Sequence, residues 1–231
     1  MAPHLEFRHG RWAAGVAGML AVVAMLRYPG GTFRDHSTRG YSLSHNFLSD
    51  LGMTVAHNGQ PNGLGTVLFI VSLTTLVVAM GACLVGLVRL SSRVPESRTL
   101  ARAAGVVALV VCASFIGVAL TPEDRMLSLH ITLTRLAFRA FPLVAVLMAL
   151  ASRADPAVPR RVTIGWVALS IVLVGYVAIL DFGPSTRTPS GLVAQVVAQK
   201  IVTVAAVLGI VFQSYEADRR LAAMRAATTR A

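Results

Sequence analysis

Short polar side chains crowd one stretch of an otherwise apolar chain. Residues 40–52 read GYSLSHNFLSDLG, with serines, a histidine, an asparagine and an aspartate but no lysine or glutamate. Such side chains make directed hydrogen bonds and can move protons. At about 100° per residue, a helix over this stretch would put five of them on one face, opposite a leucine-rich face. These five are Ser42, His45, Asn46, Ser49 and Asp50.

A helix of this kind at residues 42–51 has two interpretations. It could lie flat at a membrane surface with its polar face towards water. It could instead fold over a helical bundle so that its polar face lines a cavity. We favour the second interpretation because the polar side chains are short and varied, as in hydrogen-bonding sites, and not the long charged ones of a solvated face.

Further polar residues are set into long apolar segments. His130, Arg135 and Arg139 follow one another along one such segment, and Gln199 and Lys200 lie in another. A charged side chain at bilayer depth costs at least about 2.5 kcal/mol, so each cation needs a counter-ion, carbonyl groups or water. The sequence predicts an outward-opening polar pocket that would suit an anionic head group with an apolar tail. The alternative is a structural ion pair, with Asp50 or Asp181 as the partner of Lys200.

Acid–base chemistry is the reaction type that these residues favour. Asp50 and Asp124 are candidate catalytic carboxylates, and His45 and His130 are candidate proton carriers. The candidate substrate-binding residues are Ser42, Asn46, Ser49, Arg135, Arg139, Gln199 and Lys200. The run Thr121-Pro122-Glu123-Asp124 is also typical of a helix start, so capping is the other interpretation of its two acids.

The composition requires that most of the chain faces lipid. Hydrophobic residues make up 55% of the 231 residues and charged residues only 13%, against about 25% in soluble domains. Six segments have the length and apolar character of membrane spans, at approximately 12–28, 64–88, 103–120, 127–151, 163–181 and 191–212. The sequence predicts an all-α polytopic membrane protein: a bundle over residues 1–214, the loop 29–63 as a lid, and a basic tail over 215–231.

The basic residues indicate an orientation in the cell membrane. The net charge is +11, but the arginines sit singly between apolar runs and form no basic face for nucleic acid. They concentrate at both ends of the chain and in the second and fourth connections, which predicts cytoplasmic N- and C-termini.

One motif of the chain consists of Gly40-Tyr41-Ser42, Asn46 and Ser49-Asp50-Leu51-Gly52, with Pro122, Asp124 and His130 further on. It resembles the signature of the uncharacterised prokaryotic membrane family named domain of unknown function 998. The six-span layout fits over about residues 12–213. The family more often has Glu at the position of Asp50. The resemblance implies the fold and a site, and supplies no reaction and no cofactor.

Several function classes stay open. We expect a membrane-embedded enzyme acting on a lipid or isoprenoid-like molecule, and the alternative is a lipid- or ion-binding or transport protein without chemistry. A zinc site from His36, His45, His57 and His130 is a weaker alternative, because the spacing is irregular and no HxxxH or HExxH motif occurs. A serine hydrolase or an assembly subunit is less well supported still.

Overall fold

The computed structural model describes residues 3–229 of the chain. The last two residues of the predicted tail, 230 and 231, lie outside the described part. Six α-helices make up most of it: α1 (Pro3–Arg27), α2 (Gly63–Ser91), α3 (Pro95–Leu120), α4 (Glu123–Ala154), α5 (Arg160–Phe182) and α6 (Pro189–Thr229). Each has a stretch long and apolar enough to cross a membrane. The prediction of an all-α protein with six spans is confirmed.

The connections set the order of the helices in the bundle. Residues 92–94, 121–122, 155–159 and 183–188 are short links, so consecutive helices from α2 to α6 run antiparallel. The start of α1 and the end of α6 therefore lie at one end of the bundle, which we call the tail end. Residues 28–62, which we call the first loop, cover the other end of the bundle. We call this end the loop end. The predicted tail is not separate, because α6 runs without a break from the bundle to Thr229.

The packed core runs along the bundle and includes residues of all six helices. Trp166 and Leu173 of α5 are almost completely buried. The Phe138 ring packs edge-on against the rings of Phe115 and Tyr176, with centroids 5.1 and 4.6 Å apart. The helices also enclose a cavity, and core residues such as Val111 and Phe138 line it.

The first loop is held by its own hydrogen bonds rather than by regular structure. Residues 43–46 form a turn, Phe47 is extended, and Leu48–Gly52 form a short 3₁₀ helix. The prediction of one amphipathic helix over residues 42–51 is wrong. Its physical reason is competition from side chains: the Asp50 carboxylate accepts the Phe47 N–H at 3.2 Å, which a continuous α-helix would bond elsewhere.

Two glycines let the first loop pack closely. Gly31 has φ +80°, and a Cβ on it would lie 2.4 Å from the backbone nitrogen of Asn58. Gly52 packs against the Phe69 ring of α2, where a Cβ would meet the ring at 2.5 Å. Gly52 therefore allows the close approach of the loop to α2.

Candidate functional site

Asn46 organises the first loop from a fully buried position. Its amide nitrogen donates to the Gly31 carbonyl at 2.9 Å and to Asp50 Oδ2 at 2.8 Å. Its side-chain oxygen accepts the Ser42 N–H at 2.9 Å. With both amide hydrogens donated and the oxygen bonded to Ser42, Asn46 positions the loop.

Asp50 is the most unusual group of the site. Its side chain is 1% exposed. Oδ2 receives the Asn46 amide and the Phe47 N–H, and His57 Nε2 lies 3.4 Å away. Oδ1 is buried and has no hydrogen-bond partner among the described residues. Buried polar atoms are nearly always paired, so an orphaned carboxylate oxygen indicates a functional or proton-binding role.

Glu123 and His57 surround this carboxylate. Glu123 interacts with the charges of Asp50 and His130, and its carboxyl accepts a hydrogen bond from Ser49. Burial lowers the pKa of His57, but the hydrogen bond and charge of Asp50, with the charge of Glu123, outweigh it. The net result is a His57 pKa above its usual value. The group is therefore a small network of proton-carrying side chains.

Two tyrosines and a lysine complete the loop side of the site. Burial, and then the charge of Asp50, raise the pKa of Tyr28 and of Tyr41 above the usual phenol value. The Tyr41 hydroxyl therefore stays a donor, to the Asn46 carbonyl at 3.0 Å. Lys200 Nζ of α6 donates to the same carbonyl at 2.5 Å and lies 5.3 Å from the centroid of the Tyr41 ring. No described carboxylate forms an ion pair with Lys200, so the predicted pair with Asp50 or Asp181 is absent.

A cavity of about 530 Å³ lies under the first loop, between helices α1, α2, α3, α4 and α6. This volume is within the usual range for small-molecule sites. Its wall from Ala14 to Met25 of α1 is about 16 Å long at 1.5 Å per residue. The wall is almost entirely apolar, so the predicted polar pocket is instead an apolar chamber with polar groups at one end.

The polar groups of the cavity gather near the loop end. They are Ser49, His130, Thr134, Gln199, Lys200 and Thr203, and Ser72 of α2 is a further polar residue of the wall. His130 Nδ1 lies 2.7 Å from the Thr121 carbonyl, which can only accept, so Nδ1 carries a proton and Nε2 is the acceptor of the neutral ring. The Thr134 hydroxyl, one helical turn on, has no partner among the described residues. The cavity wall thus offers both a proton acceptor and an unused hydroxyl.

Four predicted site residues thus meet at the cavity: Ser49, His130, Gln199 and Lys200. Asp50 and Asn46 lie behind them in the first loop and are not part of the wall. Gln199 also anchors the loop, because its Oε1 accepts the Leu48 N–H at 2.8 Å.

Three predicted residues belong to the loop scaffold instead. The His45 ring is exposed and its Nδ1 lies 2.8 Å from the Ser44 hydroxyl. Ser42 takes part in the same local turn. Asp124 accepts the Thr54 N–H at 2.9 Å and the Thr54 hydroxyl at 2.5 Å, and so ties the first loop to α4. The broken helix at Phe47 turns His45 away from the cavity, and Asp124 has its acceptor capacity used.

Arg135 and Arg139 do not join the site. Arg139 forms a two-bond ion pair with Asp181 of α5, at 2.8 and 3.1 Å, on the outside of the bundle. Arg135 is exposed and acts on the same aspartate through its charge. Their prediction as substrate-binding residues is wrong, because the face of α4 that carries them packs beside α5 and not towards the cavity.

Glu123, His57 and Thr134 are the site residues that sequence reasoning missed as functional. Glu123 and Asp124 look alike as capping acids. However, non-helical Met126 (φ −134°, ψ 44°) separates their short turn from the rest of α4. This turn directs Asp124 to Thr54 and Glu123 to Ser49. The pair of acids at a membrane boundary was a signal for a functional acid. The sequence does not show which of the two faces inward.

Within residues 3–229, no three His, Cys, Asp or Glu side chains come together in a way that could hold a metal ion. The histidines of the zinc alternative are spread between the loop surface and the cavity, although His36 and His57 stack at 6.2 Å. Comparison with protein-family models, with curated proteins and with solved structures finds no match for this chain.

Proposed function

We propose that the protein is a membrane-embedded enzyme acting on a lipid or isoprenoid-like substrate. The apolar chain of the substrate would occupy the cavity, and its polar end would lie under the first loop. The observation that carries the proposal is the meeting of an apolar chamber with a buried carboxylate network that includes an unpartnered oxygen.

Lys200, Gln199 and His130 are the residues proposed to touch the polar end of the substrate. The Lys200 ammonium uses one donor on Asn46 and keeps others, which favours an anionic group such as a carboxylate or phosphate. His130 Nε2 is the proposed proton acceptor. These groups act in a water-poor space, where their electrostatic interactions are stronger than in water.

Asp50 and Glu123 are proposed to exchange protons with the cavity. Ser49 lies in the cavity wall and hydrogen-bonds Glu123, which interacts with Asp50. Two neighbouring carboxyl groups and a histidine can accept a proton from the reacting group and return it in a later step. Asp50 thereby takes the acid–base role that the sequence suggested, with Glu123 and Ser49 between it and the substrate.

The proposal places the loop end outside the cell and both termini in the cytoplasm. The distribution of arginines favours this orientation. Membership of the domain of unknown function 998 family is part of the proposal too. The residues of the resemblance, such as Asn46 and Asp50, are those that build the loop side of the site.

The test compares two aspartates at the same end of the bundle. Purified wild-type protein is incubated with membrane lipid extract, and bound and converted lipids are measured by mass spectrometry. We expect Asp50→Asn to keep the bound lipid but to lose conversion at least a hundredfold. Asp181→Asn, at the exposed Arg139 pair, should convert lipid as the wild type does. Conversion by Asp50→Asn at the wild-type rate would contradict the role of Asp50.

A lipid-binding protein without chemistry is the second candidate, and one observation favours it. Neither Asp50 nor Glu123 belongs to the cavity wall, and most of the wall is apolar. The same experiment separates the two candidates. Bound lipid that exchanges with the extract but is never converted by the wild-type protein would support binding and exclude the enzyme.

A further inference from the structure

The cavity is open on one side only. Its wall residues on α2, α3 and α4 are buried or half-buried, and α5 contributes none among those described. The exposed wall residues are all on α1, α6 and the first loop: Gly18, Val22, Leu43, Val204 and Leu208. The four larger ones among them are each more than half exposed.

The helices on the two sides of this opening are joined above and below it. Towards the tail end, Arg11 of α1 bonds Ser214 at 3.2 Å and Asp218 at 2.6 Å on α6. Towards the loop end, Gln199 and Lys200 of α6 bond the first loop. The hydrogen bonds that directly join α1 to α6 in the described part of the chain all come from Arg11. Between these two joins, apolar and small side chains leave a gap.

We propose that this gap is a lateral opening through which a lipid chain passes from the bilayer into the cavity. The opening lies within two helices that have the length and composition of membrane spans. The medium next to it is therefore hydrocarbon, and its exposed residues are apolar. A substrate would reach the site from the membrane with its chain first and need not cross water. This inference rests on the proposed binding of a lipid in the cavity.

Two glycines of α1 offer a matched test. Gly18 and Gly15 are both exposed, and no atom lies within 4 Å of a Cβ added at either position. Only Gly18 belongs to the cavity wall. A side chain can therefore begin at either position without a clash at its Cβ, but a phenylalanine at Gly18 stands in the opening. On α6, Val204 in the wall and exposed Ile201 outside it form a second matched pair.

The experiment uses full-length protein in phosphatidylcholine vesicles that contain palmitic acid with a diazirine in its chain. After illumination at increasing times, mass spectrometry measures labelling of the cavity residues. We expect Gly18→Phe and Val204→Trp to slow this labelling at least tenfold. Gly15→Phe and Ile201→Trp should stay within twofold of the wild type.

Two results would overturn the inference, and they differ. If Gly18→Phe and Val204→Trp label as fast as their controls, the lipid reaches the cavity by another route and only the lateral opening fails. If the wild-type cavity is never labelled, no lipid binds there, and the proposed function fails together with the opening.

Discussion

The two ends of the bundle treat buried acids in opposite ways. At the tail end each acid has an arginine: Asp155 pairs with Arg220 at 2.7 Å, and Glu216 with Arg161 at 2.8 Å. At the loop end Asp50 is equally buried, yet its partners are an amide, a backbone N–H and a histidine. No described lysine or arginine forms an ion pair with it.

This difference separates structure from chemistry. In an arginine–carboxylate pair the two opposite charges neutralise each other. These pairs hold α6 to α1 and to the link between α4 and α5. Asp50 has no described arginine or lysine partner, and the titratable group beside it is a histidine. The tail end therefore fastens the bundle, whereas the loop end combines a cavity with groups that can react.

The largest expected effect comes from making the same substitution at both ends. We expect Asp155→Asn to lower the free energy of unfolding by about 3 kcal/mol, because it leaves Arg220 half-buried without its charge partner. Asp50→Asn should cost less, about 1–2 kcal/mol, since its oxygen can still accept the Phe47 N–H while its NH₂ replaces the unpartnered Oδ1. Denaturant titration in a mild detergent measures both.

A double variant controls for the loss of charge itself. Replacing Asp155 by Leu and Arg220 by Met removes the whole pair, and most of the lost stability should return. Equal destabilisation by Asp155→Asn and Asp50→Asn would contradict the contrast between the two ends.

The helices were predictable because their physics is local. A run of apolar residues long enough for a span is visible in the chain itself, and short links force antiparallel neighbours. The first loop was less predictable because its conformation depends on distant partners. Asn46 reaches Gly31, and Thr54 reaches Asp124 on α4. No periodicity reports such contacts, so a continuous helix was the natural but incorrect expectation.

Arg139 and Lys200 show that prediction from the sequence has the same limit for the site. Both lie within long apolar segments, and the sequence predicted both in one pocket. Which face of a helix meets the cavity depends on the order of neighbours around the bundle. The structure places Lys200 in the cavity wall and Arg139 against Asp181. That each cation lies within an apolar segment was readable from the sequence, whereas the direction in which its side chain faces was not.

Lys200 and Arg139 provide a second test, which compares a cation in the cavity wall with one on the outside of the bundle. We expect Lys200→Met to reduce labelling by the diazirine fatty acid about tenfold, a loss of about 1.4 kcal/mol, because it removes the cation that faces the carboxylate of the fatty acid. Arg139→Met removes an exposed pair and should leave labelling unchanged, with a stability change below about 1 kcal/mol. Photolabelling in vesicles and thermal unfolding are the measurements.

A neutral ligand serves as the control for the charge of Lys200. The corresponding diazirine-bearing alcohol has the same chain and no carboxylate, so Lys200→Met should affect its labelling much less. If the acid and the alcohol lose labelling equally, Lys200 supports the cavity structurally and does not recognise an anion.

The smallest expected effect is a pH dependence that only the loop end should show. The pKa of His57 is raised by Asp50 in the folded protein, above the unfolded value of about 6.5. The stabilisation that His57 gains from Asp50 is therefore complete below the unfolded pKa of His57 and is lost as the pH rises through its folded pKa. Wild type should be more stable than His57→Gln at acidic pH, and this difference should shrink as the pH rises above about 6.5. Asp155 and Arg220 involve no histidine, so the destabilisation by Asp155→Asn should stay constant over the same range. The opposite result is a stability difference between wild type and His57→Gln that grows as the pH rises. It would show that His57 is neutral in the folded protein and that it gives Asp50 no positive charge.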